Sequence, residues 1–307
     1  MPAAVDYIQA NTNGRLHDAR EASLGPLNRG FLYGDAVYEV WRTYSGVVFA
    51  WQDHWERLLK SADSIGISLS WSASDIFTQI SSTASAYIAA TGFSGELYIR
   101  LQIYRGAGPI GLDTHLATEP GFVILVKPVP TISTRAWESG LTLVIARTIK
   151  RNPVDCLNPA WKTGNYLNNL MGLKEARAQG ADDVLFLNMA GSLTEASTSN
   201  IAFIKGDRFI TPPTDAGILH GITRGRILAQ VAESAGLQPV EKDLRTEDLQ
   251  ACDEAMLLSS TKDVQPVGRI DDLTFSVGEG TVSRKLKQAF ERMARDYADA
   301  HPELAVQ

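Results

Sequence analysis

Lys162 is the residue of this sequence best suited to nucleophilic chemistry. It follows Trp161 and lies between two residues that interrupt regular structure, Pro159 and Gly164. Removing an amine from water favours its neutral form, and a neutral amine attacks carbonyl carbons. A lysine in an exposed loop would have the same local sequence, so the residues alone leave both interpretations open.

Glu195 is a candidate partner for a cationic ring. It lies in a stretch of small residues, 191–200, between two predicted strands. A carboxylate in such a place could pair with the protonated ring nitrogen of a cofactor. The alternative interpretation is a solvated acidic residue in a turn.

Several residues could bind a phosphate group. A helix is predicted to begin near Thr223, and the free amides of Ile222 and Thr223 would form an anion site with the Thr223 hydroxyl. Arg57, on an earlier predicted helix, could reach a phosphate or form a salt bridge with a neighbour. Ser260 and Thr261 follow a predicted strand, where hydroxyl groups occur in sites and in turns alike. An ordinary threonine N-cap would produce the same pattern, so these alternatives stay open.

The sequence lacks the motifs of nucleotide binding, of a hydrolase nucleophile and of a zinc site. The loop at residues 105–109 contains two glycines but has neither the GxGxxG nor the GxxxxGK[ST] form of a nucleotide site. The sequence has no GxSxG nucleophile elbow. Its two cysteines, Cys156 and Cys252, cannot form a disulfide framework, and no Cys/His cluster has the spacing of a zinc site. We therefore predict no metal site and a reducing compartment.

The elements that must position these residues alternate between strands and helices. Apolar residues at helical spacing predict a helix at residues 54–65, which carries Arg57. Pro128 and Pro130 end a predicted strand and mark a linker. The other predicted helices cover 165–179, a segment from about 223 and a segment from about 282; strands are predicted at 46–51, 95–104, 121–127, 141–148, 184–188, 201–205, 208–211 and 255–258. Adjacent strands are too numerous for a doubly wound parallel sheet, so we predict a mixed α/β fold in two lobes.

Composition limits the classes of partner. The chain has 307 residues, 44% of them hydrophobic and 21% charged, which is typical of a globular protein with about two domains. A net charge of −6 argues against a basic nucleic-acid surface. The first 20 residues lack the apolar core of a signal peptide, and no apolar run approaches the roughly 20 residues of a membrane span. We expect a cytoplasmic protein without nucleic-acid or membrane partners.

The order of the candidate residues resembles the class IV aminotransferases, the pyridoxal-phosphate enzymes of fold type IV. The resemblance rests on Lys-Thr-Gly-Asn-Tyr-Leu-Asn-Asn-Leu from Lys162, on Leu-Thr-Glu and Ser-Asn-Ile around Glu195, and on His-Gly-Ile-Thr-Arg ending at Arg224. The segments at residues 29–40, 54–58 and 260–267 fit the same family. These motifs span most of the chain and occur in the same order.

The resemblance implies an α/β (α+β) fold in two domains. A small N-terminal α/β domain would cover residues 1–127, a linker 128–137, and a larger C-terminal domain with a barrel-like sheet 138–307. In this family a loop from a second subunit usually completes the active site, so a homodimer or higher homo-oligomer is implied.

The resemblance also implies residue roles. Lys162 would be the Schiff-base lysine that moves the proton during the reaction, and Glu195 would keep the pyridine nitrogen of pyridoxal 5′-phosphate protonated. The other implied cofactor residues are Arg57, Ile222, Thr223, Ser260 and Thr261 around the phosphate, Tyr166 at the ring hydroxyl and Leu219 on the ring face. The implied substrate residues are Tyr33, Tyr38, Tyr98, Arg100 and Arg105.

The substrate residues combine features of two subfamilies. Tyr33 and the Tyr-Ile-Arg ending at Arg100 resemble branched-chain aminotransferases, whereas Tyr-Glu-Val from Tyr38 resembles D-amino-acid transaminases. The latter group carries an Arg and a His shortly after Arg-Gly, but residues 107–113 contain no cation here. We therefore expect transfer from a hydrophobic, branched-chain-like amino acid to 2-oxoglutarate in two half-reactions through Lys162. The alternatives are a D-amino-acid or (R)-amine transaminase and an aminodeoxychorismate lyase.

Overall fold

The computed structural model describes residues 7–306, which form two compact units. The first unit contains the chain up to Pro130, the segment Lys162–Asn165 and the residues from Ala294 onwards. The second contains Thr131–Trp161 and Tyr166–Met293. Residues 1–6 lie outside the described residues. They belong to the N-terminal stretch that we predict not to be a signal peptide.

The first unit is built on an antiparallel sheet of six strands in the order β2-β1-β6-β5-β3-β4. Two long helices, α2 and α3, pack against this sheet. The elements are β1 Gln9–Thr12, β2 Arg15–Asp18, α1 Arg29–Tyr33, β3 Ala36–Tyr44, β4 Val47–Val48, α2 Trp51–Ser64, α3 Ala73–Thr91, β5 Leu97–Tyr104 and β6 Gly121–Pro128. Single-turn 3₁₀ helices occur at Thr114–Leu116 and Pro302–Leu304.

Strand β5 shows how the sequence separates the two faces of this sheet. Leu97, Ile99, Leu101 and Ile103 have no exposed surface, because alternate side chains of a strand share a face. They pack with buried residues of α2 and α3 in one apolar core. Arg100 belongs to the alternate set and points to the opposite face. The burial pattern therefore leaves that face for polar side chains.

The second unit contains a larger mixed sheet whose elements follow in chain order. They are α4 Thr134–Glu138, β7 Leu141–Ile145, α5 Leu167–Ala178, β8 Asp183–Leu187, β9 Leu193–Ala196, β10 Asn200–Lys205, β11 Arg208–Thr211, α6 Ile222–Arg226, α7 Ala232–Ser234, β12 Gln238–Glu241, β13 Glu254–Ser259, β14 Asp263–Ile270 and β15 Leu273–Thr274. The π-helical turn Ile227–Val231 joins α6 to α7, and 3₁₀ turns lie at Thr214–Ala216 and Thr246–Ala251. The last helix, α8, is Val282–Ala300.

Six strands of this sheet close into a ring. The path β10-β13-β14-β7-β8-β9 returns to β10 because Glu195 of β9 pairs with Asn200 of β10. Apolar side chains from these strands, including Leu143, Leu185 and Phe203, pack together in one core. The predicted barrel-like sheet is thereby confirmed, and Glu195 lies at the position where the ring closes.

The structure differs from the sequence prediction at several places. Residues 46–51 were predicted as a strand, but only Val47–Val48 are extended, and α2 already begins at Trp51. Trp51 has helical spacing with Trp55 and Leu58, and all three are buried in the core, which explains the earlier start. The elements that were not predicted include strands β1, β2, β3, β9 and β14 and helices α1, α3 and α4. The segment predicted as a linker, 128–137, includes part of helix α4, and the domain boundaries stay a prediction.

The other predicted helices and strands are present with ends shifted by a few residues. The chain between β7 and α5 is a loop apart from one isolated bridge, as predicted. Among residues 7–306, every helix is too short or too polar to cross a membrane.

Candidate functional site

Hydrogen bonds of the backbone join the segment that carries Lys162 to the rest of the first unit. The Lys162 amide donates to the Ser61 hydroxyl oxygen (3.1 Å), and the Lys162 carbonyl accepts from the Tyr38 amide (2.9 Å). Two residues later, the Gly164 amide donates to the Ala36 carbonyl (2.9 Å). The segment is therefore a short antiparallel partner of β3, and the sheet fixes the position of the Lys162 backbone.

Gly34 allows a further close approach to this segment. The Asn165 side-chain amide donates to the Gly34 carbonyl (3.1 Å). Gly34 has φ 66°, and a Cβ atom at this position would lie 2.4 Å from Asn165 Oδ1. Glycine is the residue that tolerates this backbone conformation without a clash.

The Lys162 amine lies beside the ring of Tyr38. Nζ is 4.5 Å from the ring centroid, and the Cζ atom of Arg100 is 3.8 Å from the same centroid. Aromatic faces attract cations at these distances, and the attraction increases where water is excluded. Tyr38 is buried and Lys162 is half-buried, so the exposed-loop interpretation of Lys162 is wrong. The structure brings the candidate nucleophile together with two of the implied substrate residues.

Arg57 is held by a buried carboxylate. Its Nε and Nη2 atoms donate to the two oxygens of Glu39, at 2.7 and 2.8 Å. His54 Nδ1 lies 2.7 Å from Glu39 Oε2, and both Glu39 and His54 are buried. The ion pair fixes the plane of the Arg57 guanidinium group. The implied contact of Arg57 with a phosphate stays a prediction.

Burial and charge shift the pKa values in this cluster. Burial alone raises the pKa of the Glu39 carboxyl group, but the charges and hydrogen bonds of Arg57 and His54 outweigh it and hold the pKa well below its usual range. Burial lowers the pKa of His54 and outweighs the opposing effect of Glu39. At neutral pH Glu39 is therefore ionised, and the Nδ1–H of His54 donates to it.

The contacts of Arg105 differ from the implied substrate role. Its Nε atom donates to Asp35 (2.7 Å), and its Nη1 and Nη2 atoms donate to the carbonyls of Gly66 and Ile65 (both 2.6 Å). All three guanidinium nitrogens have protein acceptors. In this structure Arg105 fastens its loop to the end of α2, and none of these contacts supports a role in substrate binding.

The two remaining substrate candidates lie in the first unit. The Tyr33 hydroxyl accepts from the Gly111 amide (3.2 Å) and its ring lies near the Arg29 guanidinium. The ring of Tyr98 has Lys127 Nζ at 5.2 Å from its centroid. Their implied roles toward substrate stay predictions.

Glu195 lies on strand β9 and is buried, so the interpretation as a solvated turn residue is wrong. Its Oε2 atom accepts hydrogen bonds from the Asn200 side-chain amide and the Leu219 backbone amide, both at 3.1 Å. Its Oε1 atom pairs with the Arg151 guanidinium group at 2.8 Å. A buried carboxylate must be paired to be tolerated. These donors compensate for the burial of the Glu195 carboxylate group.

Helix α6 begins with a glycine that provides no side-chain cap. Gly221 is the N-cap residue, and the first amides of a helix have no intrahelical partner. The π-helical turn and α7 extend this helix to Ser234. A Cβ atom at Gly221 would lie 1.9 Å from Asn200 Oδ1, so a larger residue would displace Asn200. The Ile222 and Thr223 amides lie in the first turn of this helix, where an anion would bind, and their contact with a phosphate stays a prediction.

A buried hydroxyl group lies at Ser259, where strand β13 meets the turn that follows it. Within residues 7–306, Ser259 Oγ has no hydrogen-bond partner, which is costly for a buried polar atom. Ser260 and Thr261 follow in the same turn and are half-buried. A ligand oxygen at this turn would satisfy the Ser259 hydroxyl. Tyr166 is the N-cap residue of α5, also in the second unit.

Comparison with known proteins decides the family. A family profile described as "Amino-transferase class IV" matches residues 36–270. The chain belongs to the class IV aminotransferases. This confirms the resemblance, the fold class and the expectation of a pyridoxal-phosphate-dependent aminotransferase.

Individual members of the aminotransferase family are similar over almost their whole length. A putative branched-chain-amino-acid aminotransferase of Methanocaldococcus jannaschii is 32% identical over 280 residues, covering 91% of this chain and 94% of the relative. The D-alanine aminotransferase of Bacillus licheniformis is 30% identical with the same coverage. The branched-chain aminotransferase of Thermoproteus uzoniensis, solved with norvaline, has a TM-score of 0.85 at 28% identity and covers 97% of this chain and 98% of its own.

The residues of this aminotransferase fit pyridoxal 5′-phosphate, the cofactor of the family. In the second unit, Glu195 supplies a buried anion for the ring nitrogen. The uncapped start of α6 and the unpartnered Ser259 hydroxyl supply donors of the kind a phosphate requires. In the first unit, Lys162 supplies an amine and Arg57 a guanidinium group.

The sequence analysis missed the residues that hold this aminotransferase's functional groups. Arg151 and Asn200 bind Glu195, Glu39 and His54 bind Arg57, and Ser61 binds the Lys162 backbone. Ser61 lies four residues after Arg57, so helical spacing could have placed it on the same face. Arg151 lies in a loop without periodicity, where the sequence carries no signal of burial.

Proposed function

We propose that this aminotransferase moves an amino group from a hydrophobic, branched-chain-like amino acid to 2-oxoglutarate in two half-reactions. The observation that carries this proposal is a pocket of about 280 Å³ in the first unit. Leu24, Phe31, Val123 and Leu125 line it, and its polar lining residues are Arg100, Asn28, Gln102 and Tyr104. Apolar walls beside polar groups and one cationic residue suit a substrate that has an apolar side chain and a carboxylate.

The loop after β5 supports the same proposal. Residues 107–113 contain no cation, and the preceding Arg105 is bound to Asp35 and two carbonyl groups. The loop therefore lacks the carboxylate-binding cations that the D-amino-acid transaminases carry there. The norvaline bound by the Thermoproteus uzoniensis relative is itself an apolar amino acid, which supports a hydrophobic donor.

We assign the chemistry to the residues already described. Pyridoxal 5′-phosphate, when bound, withdraws electrons from the bond that loses a proton. Lys162 would hold the cofactor and transfer that proton, and Glu195 would hold the proton of the ring nitrogen. Arg57, Thr223, Ser260 and Thr261 would bind the phosphate, with Ile222 donating from its backbone. Tyr166 would donate to the ring hydroxyl, and Leu219 would pack on the ring.

We also propose that the enzyme acts as a homodimer or a higher homo-oligomer. Phe31, Ile110 and Leu112 are large apolar side chains that are at least three-quarters exposed in the first unit. Exposed apolar groups of this kind mark interaction surfaces when they cluster. The backbone carbonyls of Gly111 and Leu112 accept from Arg29, which adjoins Phe31, so the two exposed segments are connected.

A donor screen tests the proposed substrate class. The purified holoenzyme is incubated with 2-oxoglutarate and L-leucine, D-alanine or (R)-1-phenylethylamine, and the keto product and glutamate are quantified. We expect conversion with L-leucine alone, because the pocket has large apolar lining residues, and residues 107–113 lack the carboxylate-binding cations of the D-amino-acid transaminases. Conversion of D-alanine or the amine instead would overturn the proposal in favour of the D-amino-acid or (R)-amine alternative. Release of pyruvate from aminodeoxychorismate, without transamination, would identify a lyase.

Glu195→Gln tests the role of the buried carboxylate. Glutamine keeps the size and one acceptor but loses the charge, so the ring nitrogen loses its anionic partner. We expect kcat to fall roughly a hundredfold, a typical contribution of one electrostatic group, with KM changed much less. The exposed Glu233→Gln is the matched control. An unchanged kcat in Glu195→Gln would refute the assigned role.

A further inference from the structure

Glu195 and Arg151 form a buried pair with unusual geometry. The Nε and Nη2 atoms of Arg151 both donate to the same oxygen, Oε1 of Glu195, at 3.0 and 2.8 Å. Arg151 is 8% exposed and Glu195 is 5% exposed, so water does not screen the pair. The guanidinium group of Arg151 is therefore a cationic partner of the Glu195 carboxylate inside the second unit.

The second oxygen of Glu195 is also engaged. Asn200 and the Leu219 amide donate to Oε2 at 3.1 Å each. Asn200 also donates to the Leu219 carbonyl (3.0 Å), which ties the two donors together. Donors on both oxygens thus define the orientation of the carboxylate plane, and the two Arg151 bonds share one oxygen.

Arg151 is itself held from three directions. Its backbone amide donates to the carbonyl of Leu187 at the end of β8 (2.9 Å). Its Nη1 atom faces the side-chain oxygens of Asn168 and Asn169 on α5, at 3.3 and 3.5 Å. Asn169 is anchored in turn, because its amide donates to the Ser197 carbonyl (2.7 Å). The position of the guanidinium group is therefore set by the fold.

We propose that Arg151 is a positioning residue that keeps the shared proton on the cofactor's ring nitrogen and off Glu195. The inference rests on the proposed role of Glu195. A proton between a buried carboxylate and a pyridine nitrogen can reside on either group. A cation bonded to the carboxylate favours its ionised form, and the proton then stays on the ring. Without Arg151 the carboxylate would be buried without a cation, and taking the proton would relieve that cost.

The test observes the ring nitrogen directly. Holoenzyme is reconstituted with pyridoxal phosphate labelled with ¹⁵N in the ring, and the ¹⁵N chemical shift distinguishes a protonated from a neutral ring. Arg151→Met removes the charge but keeps much of the side-chain length, whereas Arg151→Lys keeps the charge. We expect a protonated ring in the wild type and in Arg151→Lys, and a shift towards the neutral ring in Arg151→Met. Arg151→Gln is the second neutral variant if Arg151→Met does not fold.

Kinetics provide a second readout. We expect kcat of the neutral variants to fall roughly ten- to a hundredfold, as for loss of one charged hydrogen bond, while KM changes less than about threefold. Arg147→Ala removes an exposed arginine near Arg151 in sequence and is the matched control. A ring that stays protonated in both neutral variants would overturn the inference and leave Arg151 a structural residue. A neutral ring in the wild type would overturn the role of Glu195, while the donor screen would still decide the substrate class.

Discussion

Replacing Lys162 with alanine is expected to abolish transamination with every amino donor. The variant loses the amine that would hold the cofactor and move the proton, and one acid–base group alone contributes about 10²- to 10⁴-fold. We therefore expect kcat to fall about 10⁴-fold or more. The backbone bonds from Lys162 to Ser61 and Tyr38 do not involve the side chain, so the fold should persist. The measurement is keto-acid formation at saturating cofactor.

A mass measurement separates loss of chemistry from loss of cofactor. After reduction with borohydride, wild-type protein should gain the mass of the cofactor on the peptide that contains Lys162, and the alanine variant should not. Lys150→Ala is the matched control, because Lys150 is an exposed lysine in the same loop. Added methylamine should restore part of the lost turnover, since it supplies a free amine. Wild-type turnover in Lys162→Ala would disprove the mechanism.

Replacing Glu39 with glutamine is expected to destabilise the first unit strongly. The substitution leaves the Arg57 guanidinium and His54 in a buried environment without their anion. Breaking a buried ion pair typically costs about 3–5 kcal/mol of unfolding free energy. The measurement is urea-induced unfolding at pH 7, with Glu56→Gln as control, because Glu56 is an exposed residue of helix α2, which carries His54 and Arg57. A loss equal to that of the control would show that the pair contributes nothing to stability.

The same pair predicts how stability depends on pH. The pKa of Glu39 is lowered by folding, so its contribution to stability is fully present above its ordinary value of 4.5. Below that value the unfolded chain binds a proton that the folded chain does not, and the contribution declines by about 1.4 kcal/mol per pH unit. The difference in stability between wild type and Glu39→Gln should therefore shrink as the pH falls from 4.5 towards 3. If the difference in unfolding free energy between wild type and Glu39→Gln stayed constant over this pH range, the lowered pKa of Glu39 would be contradicted.

The chemistry of this protein was easier to predict from its sequence than the surroundings of each group. Lys162, Glu195 and Thr223 lie in motifs whose order is specific, and the family assignment follows from them. The burial of Lys162 and Glu195 was not predictable. Small residues around Glu195 suit a turn as well as a strand, and only the closure of the ring through Asn200 decides between them.

Long-range pairs explain most of what the sequence did not reveal. Glu39 and Arg57 are 18 residues apart, and Arg151 and Glu195 are 44 apart. No local periodicity links such partners, since each pair depends on how strands and helices pack. Arg105 illustrates the reverse case, because its motif implied a substrate role whereas its three acceptors are all supplied by the protein.

The discontinuity of the first unit has a consequence for the order in which the protein is made. Its sheet is complete at Pro128, but Lys162–Asn165 and the residues from Ala294 onwards belong to the same unit. Ala305 pairs with Val47, and Val306 is buried. Domains generally fold as units while the ribosome extends the chain from its N-terminus. Here the first unit begins to fold before the second unit is made, but its residues from Ala294 onwards are made only after the second unit. The packing of the unit that contains Lys162 is therefore completed after the second unit has been synthesised.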